Sequence, residues 1–404
     1  MIFIGLDLGT SALKAIAMGE DQQILAEHTV PLSVTRLREG WSEQDPQSWC
    51  DAVLTALEAL VTKIDPTRVT GIGLSGHMHG ATLIGSDDRP LRPCMLWNDT
   101  RSHLEAAEMD SDPEWRAVSG NIVFPGFTAP KLVWVQRHEP EIFDCVAKVL
   151  LPKDYLRLWL TGEHVAEMSD AAGTSWLDTG ARDWSDALLA KSGLSRAQMP
   201  ALVEGSEGAG FVRSELCKRW GVPSGTVVAG GGGDNAASAI GAGVVKAGQA
   251  FVSLGTSGVL FAANDGYQPD PETAVHTFCN ALPETWHQMG VILSATDSLK
   301  WYAGLVGADV AELTQGLGDL LAPGRARFMP YLGGERTPLN DANIRGAFIG
   351  LDHATDREAA TRAVLEGVTF AIRDCRDALA ATGTEIASLL AVGGGSKSDY
   401  WLRA

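Results

Sequence analysis

A chain of 404 residues exceeds what one ordinary core organises, so two domains are expected, and 45% hydrophobic with 20% charged residues is the balance of a soluble globular protein. A formal charge of −18 argues against nucleic acid or anionic membrane as a partner, and it makes any anion site a local one, built from backbone N–H groups and a few cations. Cys50, Cys94, Cys145, Cys217, Cys279 and Cys375 form no CxxC pair and no apolar run reaches membrane-spanning length, which favours a cytoplasmic protein with reduced thiols over disulfides, structural zinc or a membrane anchor.

The N-terminal stretch MIFIGLDLGTSALKAIAM reads as two strands joined by a short polar turn. Ile2–Leu6 reads as a strand buried on two faces and Ala15–Met18 as one buried on a single face. Gly9 lets the backbone approach a ligand, Thr10 and Ser11 offer hydroxyls and N–H groups, and Lys14 adds positive charge. Asp7, at the strand end, suits a cation. The unit is expected to be a magnesium-phosphate hairpin, although a single such motif also fits an ordinary surface turn. A second copy changes the balance: Ser253-Leu254-Gly255-Thr256-Ser257-Gly258 is again a glycine-hydroxyl turn between apolar runs. Two copies in two halves suggest duplicated domains, residues 1–243 and 244–404, gripping one polyphosphate.

Between the hairpins, Ile24–Val30 extends the first sheet, and Asp45-Pro46 starts a helix whose Trp49, Val53, Leu57, Leu60 and Val61 share one face. Arg68–Ser75 is a strand beside the first, leading into Gly76-His77-Met78-His79-Gly80. A loop at the carboxyl end of an α/β strand is a ligand position, and a His beside a Met suits a polyol; a metal pair or a plain glycine turn are the other readings. Trp97-Asn98-Asp99-Thr100-Arg101 either walls a sugar pocket or holds a loop through an Asp–Arg pair. Helices are expected from Thr128, as N-cap, and over Leu150–Gly162, with Met168–Thr174 a loop. Val227–Ala229 is a strand ending in Gly230–Gly233, then Asp234 and Asn235 before a small-residue helix, Ala236–Gly243. Four glycines strip away side chains so that a ligand can reach the backbone, leaving Asp234 to take a proton from a hydroxyl; it also fits an N-cap. Later, Tyr331–Pro338 is a loop, Glu358–Leu379 an amphipathic helix and Ser388–Val392 a strand. Gly393-Gly394-Gly395-Ser396 then precedes a helix start at Asp399-Tyr400-Trp401, a nucleotide-site pattern.

These motifs together (DLGTS, GHMHGATL, WNDTR, GFTAPKLVW, LLPKDYLRL, MSDAAGT, GGGDNAA, SLGTSG, GERTP and GGGS) resemble the FGGY family of carbohydrate kinases, of the actin–hexokinase–Hsp70 superfamily, over the whole chain. The resemblance implies two actin-like (ribonuclease H-like) α/β ATPase domains with the active site in the cleft between them. It assigns the base to Asp234 and the sugar to Met78, His79, Asp234 and Asn235. ATP phosphates fall to Thr10, Ser11, Lys14, Gly255 and Thr256, the adenosine to Gly394 and Gly395, and Mg²⁺ to Asp7. Glycerol kinases of the family carry an Arg-Glu pair where Met78-His79 stand, so the implied reaction is transfer of the ATP γ-phosphoryl to the 5-hydroxyl of D-xylulose, in xylose catabolism. Another ketose or polyol, and a non-catalytic actin-like nucleotide-binding protein, stay open as alternatives. The partners implied are a sugar and ATP, without nucleic acid or membrane, with a homodimer open as the assembly. Family members continue beyond the position of Ala404, so the 404-residue form is expected to bind ATP weakly and expose apolar surface, unless it is a portion of a longer protein.

Overall fold

The computed structural model describes residues 1–315 and 317–404. It divides into two units, one of Met1–Ile240 with Phe278–Thr285 and the other of Gly241–Thr277 with Trp286–Ala404. No helix among the described residues is long and apolar enough to cross a membrane.

The first unit grows from β1 (Ile2–Leu8), in which Ile2, Ile4, Leu6 and Leu8 are buried while Phe3 and Asp7 stay exposed. That two-residue alternation buries one face only, correcting the two-faced burial expected from its continuous apolar run. β2 (Ala12–Gly19) returns antiparallel to β1, and β3 (Ile24–Pro31) pairs antiparallel with β2. α1 (Pro46–Val61) begins at Asp45, whose carboxylate accepts the Gln47 N–H, with Pro46 in the first turn. Trp49, Val53, Leu57 and Leu60 are buried as α1 packs on β2 and β3. Each such side chain contributes ~1.5–3 kcal/mol, more than capping does, so packing is what holds this helix. β4 (Val69–Gly76) then runs parallel to β1.

α2 (Thr128–His138), α3 (Pro152–Thr161) and the single turn α4 (Met168–Ala171) follow. Thr128 is the first residue of α2 and not its cap. α3 starts at Pro152, since Leu150 pairs with Thr82 in a short strand, and ends at Gly162 with φ 88°. The stretch 168–174 is helical where a loop was expected, because the Glu167 carboxylate accepts the N–H groups of Ser169 and Asp170 and so starts a turn. β5 (Gly208–Phe211), β6 (Val227–Ala229), β7 (Gly232–Gly233) and α5 (Asp234–Gly241) complete the unit. The sheet order is β5-β6-β4-β1-β2-β3, with β7 also on β4.

The second unit repeats the scheme. β8 (Gln249–Leu254) and β9 (Gly258–Asn264) form an antiparallel hairpin, and β10 (Trp286–Ile292) pairs antiparallel with β9. After α6 (Thr296–Val306) and the long α7 (Arg357–Ala381), β11 (Ser388–Val392) runs parallel to β8. Within its five-stranded sheet the run β10-β9-β8-β11 matches β3-β2-β1-β4, and the strand His276–Cys279 lies beyond β10. The chain closes with α8 (Asp399–Arg403), whose Tyr400 and Trp401 are buried in the second core. The fold is thus mixed α/β, two units of like topology.

Candidate active site

Three adjacent parallel strands of the first unit end together. In register, Asp7 of β1 stands opposite Ser75 of β4, and Ser75 opposite Gly232 of β7; Leu8, Gly76 and Gly233 form the next row. Their carboxyl ends therefore deliver Asp7, the 76–80 turn and Asp234 to one edge of the sheet, where ligands bind in open α/β folds. Desolvation raises the Asp7 carboxyl above its ordinary value, against the lowering effect of the Ser75 hydroxyl and the Lys14 charge. Asp234 is pushed up to about 6, chiefly by burial, with the negative charge of Asp7 adding to it and the Asn235 N–H opposing it. Its Oδ1 accepts from both the backbone N–H and the Nδ2 of Asn235, at 2.7 and 3.0 Å. The N–H it caps is thus one residue on, whereas an N-cap serves the second or third helical N–H.

The glycine run before Asp234 serves the protein's own packing. A Cβ on Gly230 would lie 2.4 Å from the Glu204 carbonyl oxygen, one on Gly231 2.0 Å from that of Leu74, and one on Gly233 2.9 Å from Met78 Sδ. Gly231 also has φ 76°. The ligand-approach explanation of these three glycines is therefore corrected: backbone and Met78 fill the space, and Asp234 is carried on a turn with no room to shift.

The 76–80 turn places its two imidazoles in different surroundings. His77 is buried edge-on to Trp49, and desolvation with the nearby Lys131 charge pushes its pKa down to about 3. His79 has φ 68° and stacks on Phe127 with centroids 4.5 Å apart. Its Nδ1 lies 2.7 Å from the Gly173 carbonyl, an acceptor, so Nδ1 carries the proton of that bond. The strained backbone is held from behind: Lys131 Nζ donates to the carbonyls of His79 at 2.9 Å and Gly126 at 2.6 Å, and the Thr128 hydroxyl donates to His79 at 3.2 Å. Burial lowers the Lys131 amine to about 7. Met78 is 5% exposed and lies against Gly233 and Gly173.

In the first hairpin turn, Thr10 is fixed twice, its carbonyl by Gln44 Nε2 at 2.7 Å and its hydroxyl by Trp97 Nε1 at 3.0 Å. Ser11 is exposed, and Lys14 makes a surface ion pair with Glu27 at 3.1 Å. Asp99 and Arg101 form the buried loop-holding pair, at 2.6 Å, so the WNDTR segment both holds a loop and touches the turn. In the second unit the carbonyl of Gly255 accepts from the N–H and hydroxyl of Thr296, and that of Thr256 from the N–H of Ala295, tying the turn to the start of α6. Beside it opens a cavity of about 570 Å³ lined by Thr256, Thr296, Lys300, Gly394, Gly395 and Trp401. Sequence reasoning missed Ser75, Lys131, Arg157 and Ser169, which act on the candidate residues from behind. The one available signal was the charge of Lys153, Asp154 and Arg157 on an otherwise apolar helix.

The model of the FGGY family of carbohydrate kinases matches in two parts, its N-terminal domain over residues 2–241 and its C-terminal domain over residues 250–404. Xylulose kinase of Escherichia coli (strain K12) is 50% identical over 99% of this chain and 83% of its own length. The crystal structure of a xyloylose kinase from Brucella ovis is 63% identical, with a TM-score of 0.98, covering 100% of this chain and 84% of that one. A glycerol kinase from Plasmodium falciparum, 20% identical over 99% of this chain and 83% of that one with a TM-score of 0.92, shares the fold.

Proposed function

The chain belongs to the FGGY family of carbohydrate kinases, and on that premise we propose that it transfers the γ-phosphoryl of ATP to the 5-hydroxyl of D-xylulose, giving D-xylulose 5-phosphate and ADP. The observation that carries this reading is the convergence of Asp7, the Met78-His79 turn and Asp234 on the ends of three parallel strands. Phosphoryl transfer asks mainly for in-line positioning and charge neutralisation. Asp234 accepts the proton of the attacking hydroxyl: with Oδ1 engaged by Asn235, the second carboxylate oxygen is the one to take it, and a pKa near 6 leaves it ionised at neutral pH. His79 gives a polar contact to a sugar hydroxyl, Met78 the apolar wall, and Asn235 adds polar contacts.

Thr10, Ser11 and Lys14 of the first turn, with Gly255 and Thr256 of the second, hold the phosphates, and Gly394 and Gly395 border the adenosine in the cavity of the second unit. Residues 1–243 then serve as the sugar domain and 244–404 as the nucleotide domain. A divalent cation fits the first unit, since the raised carboxyls of Asp7 and Asp234 lie close enough to repel each other and the Lys14 charge offsets only that of Asp7. No cluster of three or more metal-ligating side chains exists among the described residues, which suits Mg²⁺ held by Asp7 together with phosphate oxygens and water. When bound, Mg²⁺ neutralises charge on the transferring phosphates. An ADP-release assay across a panel of ketoses and polyols tests the proposal. D-xylulose should have the highest kcat/KM, and preference for another sugar or for glycerol would refute the substrate assignment.

A further inference from the structure

The glycine turn before Asp234 is held by a set of fully buried groups. Ser169 is fully buried, and its hydroxyl accepts the N–H of Gly233 at 3.0 Å, one residue before Asp234. The same hydroxyl donates to Glu167 Oε2 at 2.8 Å, so its proton is committed to the carboxylate and its lone pairs face Gly233. Glu167 is fixed in turn by Lys153 at 3.1 Å, within a wholly buried group of Lys153, Asp154, Arg157, Glu167 and Asp170. Arg157 reaches from that group to the carbonyl of Gly230. Burial raises Asp170, which lets three carboxylates balance two cations. Both ends of the glycine turn are thereby tied to one charged cluster, and Met78 closes the opposite side of Gly233.

Resting on the reading of Asp234 as the base, we infer that Ser169 is a positioning residue for catalysis, one that sets the angle at which the Asp234 carboxylate meets the substrate hydroxyl. Arg157 supports it from the other end of the turn. The bond from Ser169 to Glu167 is charge-assisted, and by polarising the hydroxyl it strengthens the bond from Gly233 cooperatively. Ser169 and Arg157 are both fully buried, so their loss should act on turnover and leave binding in place. A small misplacement of a reacting group costs up to ~10²-fold in rate.

The test measures Ser169→Ala, Ser169→Thr and Asp234→Asn side by side, with kcat, both KM values, the pH profile of kcat/KM and the melting temperature. Ser169→Ala should lose about 10- to 100-fold in kcat, with the KM for D-xylulose and for ATP within about threefold of the parent. Its acidic limb should move below pH 6, because a loosened Asp234 regains solvent. Ser169→Thr, which keeps the hydroxyl, should recover part of the loss. If Ser169→Ala does not fold at the assay temperature, Ser169→Cys, close in volume with a weaker acceptor, carries the same expectations. An unchanged kcat in the serine variant with an inactive Asp234→Asn would overturn the positioning role alone. Activity lost only in proportion to unfolded protein, with an unmoved limb, would do the same. An active Asp234→Asn would instead remove the base assignment on which the inference stands.

Discussion

Replacing Asp234 with Asn separates two consequences of one desolvated carboxyl. The first is kinetic: without a base to accept the hydroxyl proton, turnover should fall ~10²–10⁴-fold while ATP still binds. The second is thermodynamic and opposite in sign. Burial shifts the carboxyl from 3.8 to about 6, and each unit corresponds to about 1.4 kcal/mol of preference for the protonated form in the folded state. Ionising Asp234 therefore costs the fold up to ~3 kcal/mol at neutral pH. Because the folded pKa is raised, its contribution to stability is fully present below 3.8 and is lost as pH rises through about 6. The Asn variant carries no such cost. It should melt several degrees above the parent at pH 8, at roughly 2–4 °C per kcal/mol for a unit of this size, and the gap should close as pH falls to 4. Differential scanning calorimetry over that range, with ADP release measured on the same samples, reads both effects. Equal melting temperatures at pH 8, or turnover within a few-fold of the parent, would refute the argument.

Asp7→Ala should weaken turnover and flatten its Mg²⁺ dependence while D-xylulose affinity, measured without nucleotide, stays the same; lost sugar binding with an intact Mg²⁺ response would reverse the assignment. His79→Ala should raise the KM for D-xylulose far more than that for ATP, since a polar site deprived of its partner discriminates poorly; equal changes in both would favour a structural turn. Gly231→Ala sets a methyl against the Leu74 carbonyl at 2.0 Å in a left-handed backbone, so it should lower the melting temperature by several degrees or prevent folding, and a soluble, equally stable variant would contradict the packing account. The kcat/KM of the parent should decline below pH 6 as Asp234 takes up a proton; a flat profile to pH 5 would argue against a base of that pKa.

Much of what short stretches of chain govern was legible in the sequence by itself, although the turn that Glu167 starts at 168–174 was not. The hairpins around Gly9 and Gly255, the capped start of α1, the stop at Gly162 and the strand Ser388–Val392 depend on period, turn residues and caps within a few positions of one another. The repeat of the glycine-hydroxyl turn likewise pointed to two units of like topology, and the candidate residues followed from these motifs. What the tertiary structure decided involves partners far apart along the chain. Gly231 must be glycine because the Leu74 carbonyl crosses it, and Gly230 because that of Glu204 does. The left-handed His79 is held by Lys131 and Thr128, some fifty residues on. Thr10 takes its position from Gln44 and Trp97, and the residues Phe278–Thr285 pack with the first unit although they lie beyond its last strand in sequence. Ser169 read as part of a loop, and its hold on Gly233 exists only where α4 meets β7. Propensity and periodicity report what a residue does to its neighbours in sequence, whereas the close approach of two backbones is fixed by how the sheet and its helices pack, and that is where the candidate base acquires its place.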